Sequence, residues 1–294
     1  MRRLALVSIF VGFACGHPAG GTNDGTGPTK GTPPDGAAKG DFPKGPPLVT
    51  PGERMQYKVA LKGLELASYV ISVGDIVDLE GKKTITVSGN AKLAGIAAWF
   101  GGKVDDTLTS WLDIETGRSR RFQVDEYGSR SEDIEHTIAD IAKRDGATVP
   151  VMFHINNDPP TPEPQKAALP ETWCLNSFLV ALRSWEGPPG SVQNLEVFRS
   201  RNLWKMTVTI KGKTKISTDL PETPEIGAIR FDAHVVKLDR DGGKFPDTDE
   251  RDFSLWVSDD AGRVPLQINA KTDYGDVTMK IVDYQPGNGE PLRP

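Results

Sequence analysis

The sequence predicts a mainly β fold: an antiparallel, strongly curved sheet or a barrel or half-barrel, with one short helix near residues 172–186. Three observations point there. Apolar residues alternate with polar ones in many short runs, turn residues separate the runs, and one stretch alone has a clean helical period. Tyr57, Val59 and Leu61 begin the alternation, followed by Tyr69, Ile71 and Val73, then Ile85 and Val87 between threonines. Met206, Val208 and Ile210 continue it, as do Phe253, Leu255 and Val257, then Val264, Leu266 and Ile268, and finally Val277, Met279 and Ile281. Alternation at period two marks half-buried strands, one face to the core and one to water. Leu79-Glu80-Gly81-Lys82, Glu115-Thr116-Gly117, Asp259-Asp260-Ala261-Gly262 and Tyr274-Gly275-Asp276 supply the turns. Many strands joined by short turns favour a sheet that curls to limit its edges.

The helix follows Pro170-Glu171-Thr172. Leu175, Phe178, Leu179 and Leu182 fall on one face, Trp185 lies a turn on, and Gly187-Pro188 stops it. Residues 133–144 stay open, because Ile134, Ile138, Ile141 and Ala142 suit a helix but nothing caps one. Residues 156–170 are Pro-rich and read as an exposed loop.

The N-terminus reads as an address. Met1-Arg2-Arg3 precedes an apolar run, Leu4 to Ala14, and then Cys15. A positive start, a short apolar run and a small residue before the cut mark a signal peptide, predicted over residues 1–14. The run falls short of the about 20 residues a spanning helix needs. Its end resembles the lipobox of bacterial lipoproteins, in which the Cys after the cut is acylated. That resemblance makes Cys15 the lipidation site and, with Gly16 next rather than Asp, implies the periplasmic face of the outer membrane. The alternative is cleavage to a soluble periplasmic product. Residues 16–47 are half Gly and Pro, and Phe42 is the only aromatic among them. Such a segment cannot bury enough apolar surface to offset its ordering entropy. Residues 15–47 are therefore expected to be the lipidated Cys and a disordered tether, 48–286 the β-rich domain, and 287–294 a flexible tail.

The net charge of −5 argues against nucleic acid as a partner, since neutralising phosphates needs a basic footprint. The expected partners are the membrane, through the anchor, and a hydrophobic ligand or an envelope protein. With two cysteines, one of them at the lipobox, no disulfide framework is on offer, and Cys174 reads as a buried thiol.

Several motifs resemble the bacterial family catalogued as domain of unknown function 3108. They are Pro51-Gly52-Glu53-Arg54-Met55-Gln56-Tyr57 with Gly63, Asp106 to Asp113, the helix Ser177 to Arg183, and Leu255-Trp256-Val257-Ser258-Asp259-Asp260-Ala261-Gly262-Arg263-Val264-Pro265. The resemblance covers roughly residues 49–285. It implies an exported, β-rich protein and brings no activity.

No catalytic constellation stands out. Asp259-Asp260 with Arg263 fits a hairpin turn, a carboxylate capping its own backbone and pairing with Arg263, better than an acid–base or metal pair. Asp239-Arg240-Asp241-Gly242-Gly243, with Asp247, Asp249 and Asp252, lacks the ligand spacing of a calcium loop. Glu132, His136 and Asp140 would share a face only on a helix, and fit a polar stripe better than a metal site. His17, His154 and His234 are isolated, and Gly212-Lys213-Thr214 lacks the leading Gly of a phosphate loop. No cofactor or metal is implied. The apolar stretch Ala94 to Gly102 is either a buried turn or a lip over a hydrophobic cavity, and makes Trp99 and Phe100 the candidate ligand-binding residues. The function expected is a non-enzymatic envelope module for binding or scaffolding. The alternative is a periplasmic carrier of a lipid or other hydrophobic ligand, and a hydrolase stands third.

Overall fold

The computed structural model describes residues 42–94, 105–127, 133–246, 248, 250–272 and 274–293. Seventeen strands and one α-helix follow in chain order: β1 (Arg54–Leu61), β2 (Leu64–Leu79), β3 (Lys82–Leu93), β4 (Asp105–Asp113), β5 (Ser119–Tyr127), β6 (Ile134–Ala139), β7 (Thr148–Val149), β8 (Val151–Ile155), β9 (Thr161–Pro162), β10 (Gln165–Lys166) and β11 (Thr172–Cys174). After these come α1 (Leu175–Ser184), β12 (Val192–Arg199), β13 (Asn202–Ser217), β14 (Glu225–Lys237), β15 (Arg251–Ser258), β16 (Pro265–Thr272) and β17 (Gly275–Gln285).

Fifteen strands form one sheet in the order β11-β12-β13-β14-β15-β16-β17-β1-β2-β3-β4-β5-β6-β8-β9. Neighbours pair antiparallel, except β11 with β12. First and last long strands meet, β1 on β17, so the chain's two ends close the middle of the sheet. The barrel itself stays open, between β11 and β9. Both edges are blunted: β11 is three buried residues, and β9 is two residues ending in Pro162, which has no N–H to offer a partner.

The helix lies in the concavity. Asn176, Ser177, Phe178, Leu179, Val180, Leu182 and Arg183 are all buried, so it is enclosed on nearly every side rather than laid on a surface. It packs on β3, β4, β11 and β12. Around it the inward residues that the alternation marks, Tyr57, Val59, Ile71, Ile85, Val87, Val208, Leu255 and Ile281 among them, form the main core. A smaller core of Leu108, Phe122, Val124, Val151, Phe198 and Leu203 fills the β4–β8 flank. Gly89 on β3 leaves room for Tyr69, since a Cβ there would sit 2.1 Å from the Tyr69 hydroxyl oxygen.

Two expected boundaries shift, and the open stretch at 133–144 resolves. Among the described residues, contacts of the domain reach back from Leu48 to Phe42, which is 3% exposed and meets Trp173 and Trp185 edge-on, each at 5.2 Å. Arg118 donates to the Phe42 and Pro43 carbonyls. The stretch after Gln285 is pinned rather than free, with Asn288 and Gly289 N–H on the Pro51 carbonyl and Leu292 bridged to Val49. Residues 134–139 form strand β6, and only Ile141–Lys143 makes a helical turn, of the 3-10 kind. Ile134 and Ile138 fit either period, and the open flanks of β5 and β8 decide for the strand. The Pro-rich 156–170 segment is mostly exposed, as expected, and is anchored by distant side chains. Glu196, 2% exposed, accepts the Ala168 and Leu169 N–H groups, and Arg144 donates to the Ala167 and Leu169 carbonyls.

Candidate functional site

Three of the sequence motifs converge on one buried ion pair. Glu53, just ahead of β1, faces Arg183 near the end of α1, and their side chains are 1% and 4% exposed. The pair is bidentate, Nη1 to Oε2 at 2.9 Å and Nη2 to Oε1 at 2.7 Å. Nη2 also donates to the Gly262 carbonyl at 2.9 Å, and the Tyr284 hydroxyl donates to Glu53 Oε1 at 3.0 Å. Nearby, Tyr57 donates to the Pro265 carbonyl at 2.9 Å. A buried pair offsets its desolvation only when its remaining valences are met, and here most are. Burial first, and the Glu53 carboxylate second, push the Tyr284 hydroxyl up to about 12. Burial likewise raises Tyr57. Both phenols are thus neutral donors across the physiological range.

The space beside this pair is small. A cavity of about 40 Å³ is lined by Thr50, Glu53, Arg183, Tyr284 and Arg293, among others. A second, of about 10 Å³, lies between Met55, Ile71, Val180 and Arg183. They have room for a few waters and one water respectively. The arrangement can clamp the helix to both chain ends and to the β15–β16 turn.

A second polar cluster surrounds Cys174. The thiol is buried and free, as the sequence suggests, but its sulfur is not in an apolar setting. It lies 3.0 Å from the Ser110 and Ser119 hydroxyls and 3.2 Å from Ser177. Ser177 also receives the Cys174 N–H at 2.9 Å, closing the N-terminus of α1. Asn176 donates to the Val87 carbonyl at 2.9 Å, fixing the helix to β3.

Three carboxylates stand on the core-facing side of neighbouring strands, Asp106 on β4, Glu126 on β5 and Glu135 on β6. Glu126 and Glu135 are direct cross-strand partners, an unfavourable like-charge pair. Burial pushes the Asp106 carboxyl up to about 6; the Tyr127 N–H and Arg199 oppose the rise, and Glu126 adds to it. Burial also raises Glu135, with Arg201 working against it. Between its ordinary value of 3.8 and about 6, folded Asp106 holds a proton that the unfolded chain has lost. Its contribution to stability therefore falls as pH rises through that window and stays low above it. Asp106→Asn keeps the acceptor for Tyr127 but carries no charge. It is expected to stabilise the domain by about 2 kcal/mol at pH 8 and by nothing below pH 4. Urea denaturation at the two pH values checks this, and equal stability of parent and variant at pH 8 contradicts it.

The residues singled out from sequence separate into distinct places. Cys15, Trp99 and Phe100 lie outside the described residues, as do Glu132, Asp247 and Asp249. Asp260 does cap its own turn, accepting from Ser258 and from the Gly262 and Arg263 N–H groups. Arg263, however, pairs with Glu186 at 2.9 Å rather than with either aspartate. Asp239 accepts the Asp241 and Gly243 N–H groups in a tight turn. His136 and Asp140 sit on and just after a strand, not on a helix, so four residues of rise separate them by about 13 Å. Among the described residues, no three His, Cys, Asp or Glu side chains converge as a metal site. Sequence reasoning missed the Glu53–Arg183 pair, although both residues fall inside quoted motifs.

The fold is similar to that of a β-barrel-like protein of domain of unknown function DUF1849 from Brucella abortus. The TM-score is 0.51 at 10% identity, covering 82% of this chain and 100% of that one. A candidate lipoprotein from Parabacteroides distasonis gives 0.35 at 8% identity, over 84% and 99%. A protein with a YmcC-like fold from Bacteroides fragilis gives 0.33 at 5%, over 82% and 99%. At these identities the first likeness is one of fold, and the other two fall below a shared fold. No curated protein sequence matches the chain. The family of proteins of unknown function DUF3108 matches residues 56–282, the span that holds Arg183, Gly262 and Pro265, and the chain belongs to that family.

Proposed function

We propose that this chain is an exported lipoprotein of the cell envelope, held at the periplasmic face of the outer membrane through Cys15, whose domain acts as a non-enzymatic module for binding or scaffolding. One observation carries the second half of this reading. The concavity that could have held a ligand is filled by α1, and the cavities beside it are of about 40 and 10 Å³. Sites for small molecules run to several hundred Å³. Neither of these two cavities could hold a hydrophobic ligand, which favours the outer face and the rim for a partner. The charges best placed for chemistry, Glu53 and Arg183, neutralise each other and support the helix instead.

The address rests on the lipobox-like Cys15 and the Gly/Pro-rich stretch behind it. Two or three acyl chains give stable anchoring where a single chain gives only marginal binding. Intact-mass spectrometry of the protein extracted from a bacterial envelope tests it. The expected product begins at Cys15 and carries the added mass of acyl chains, and Cys15→Ser is expected to lose that mass and the membrane fraction together. A parent of unmodified mass, recovered in the soluble fraction, overturns the anchor.

A further inference from the structure

We propose that His136 and His154 form a surface site for a divalent transition-metal ion of the zinc class, with the Nε2 atom of each as ligand. Strand register brings His154, isolated in sequence, beside His136 of the Glu132/His136/Asp140 stripe. His136 on β6 is the direct partner of His154 on β8, and their rings stack at 4.5 Å between centroids, 18° from parallel.

Their hydrogen bonds fix which nitrogen is free. His154 Nδ1 lies 2.9 Å from the Asn156 carbonyl oxygen, which can only accept, so Nδ1 carries the hydrogen and Nε2 the lone pair. His136 Nδ1 lies 2.6 Å from Asp125 Oδ1, its cross-strand partner on β5, and the same logic leaves its Nε2 as the lone-pair nitrogen. A carboxylate or a backbone carbonyl on the far nitrogen is the usual outer partner of a metal-bound imidazole.

The support on the His154 side is itself built. Asn156 is held at a φ of +50°, in the left-handed region. Its side chain is tied twice, Oδ1 accepting the Ile134 N–H at 2.8 Å and Nδ2 donating to Asp133 at 2.7 Å. His234 makes the contrast. Both its nitrogens are taken by carboxylates, Asp252 at 2.8 Å and Glu250 at 3.1 Å, and it has no second imidazole opposite. With metal–nitrogen bonds of about 2.0–2.1 Å, a shared tetrahedral ion needs the two nitrogens about 3.3 Å apart with both in-plane lone pairs aimed at it, so at least one of the near-parallel rings must turn out of the stack when the ion binds. Imidazole is a ligand for zinc, copper and nickel rather than for calcium or magnesium. With two protein ligands, the remaining positions are open to water or to a donor on a partner.

The test is calorimetric titration of the full chain, purified without an affinity tag, with Zn²⁺ as the probe. His17→Gln serves as the parent background, so that the N-terminal histidine does not compete. One ion per chain is expected. His136→Gln and His154→Gln should each weaken binding at least tenfold, and the double variant should abolish it. Asp125→Ala, which leaves both ligands in place, should weaken binding by about 10–100-fold, whereas His234→Gln should change nothing. Circular dichroism melts of the variants confirm that each is folded. No heat on titrating the parent overturns the proposal, as does a folded double variant that binds like the parent, or an Asp125→Ala variant of unchanged affinity.

Discussion

Arg183→Met is expected to destabilise the domain by about 3–5 kcal/mol, the cost of leaving a buried charge without its partner. Glu53 is 1% exposed, so without the guanidinium it must either stay charged in an apolar wall or take up a proton. The loss also frees the Gly262 carbonyl and unties the end of α1 from the β15–β16 turn. Glu53→Gln should cost less than Arg183→Met, because an amide still accepts from Arg183 and Tyr284. The double variant Glu53→Leu/Arg183→Met should recover a large part of the loss, since a well-packed apolar pair can replace a buried ion pair at little cost. Urea denaturation midpoints with an unchanged slope are the readout. If Arg183→Met falls within 1 kcal/mol of the parent, as for an exposed pair of about 0–1 kcal/mol, the clamp is not a buried one.

Phe42→Ala is the second large effect, expected at about 3 kcal/mol, the low end for a fully buried aromatic because a terminal segment can leave without unfolding the rest. Its ring closes the space between Trp173 and Trp185, and Trp185 in turn stacks on Phe231 at 5.7 Å. Edge-on aromatic pairs contribute about 0.5–1.5 kcal/mol each beyond their burial. A chain cut to begin at Leu48 should lose as much as the point variant, and Phe42→Leu should recover part of it. Tryptophan fluorescence during denaturation, summed over the chain's six tryptophans, gives the unfolding midpoints. A Leu48 start that is as stable as the longer chain would show that Phe42 contributes nothing.

Phe42 also shows where sequence legibility ends. A lone aromatic in a Gly/Pro-rich run belongs to the run by composition, and only its distant partners place it in the core. The strands were legible because alternation at period two is local and repeated: inward residues such as Val59, Ile71, Val208 and Ile281 are the buried ones. The helix was legible for the same reason at the other period. Strand β6 was not, because its isoleucines satisfy both periods and the neighbouring ladders decide. The ion pair was hidden differently. Glu53 and Arg183 are 130 positions apart, and charged residues ordinarily read as surface. The stacked histidines were hidden by register, which no single strand reveals. Asp260 was legible because its turn is local, whereas the partner of Arg263 comes from Glu186, 77 positions away.

The central claim is that, among the described residues, the half-barrel is filled by its own helix, with only water-sized cavities beside its buried ion pair. A native mass spectrum of the protein extracted from the envelope tests it most directly. The predicted result is a single species whose mass is that of the acylated chain with no further non-covalent component. A stoichiometric lipid or other hydrophobic molecule that is retained in the native spectrum and lost on organic extraction would contradict it.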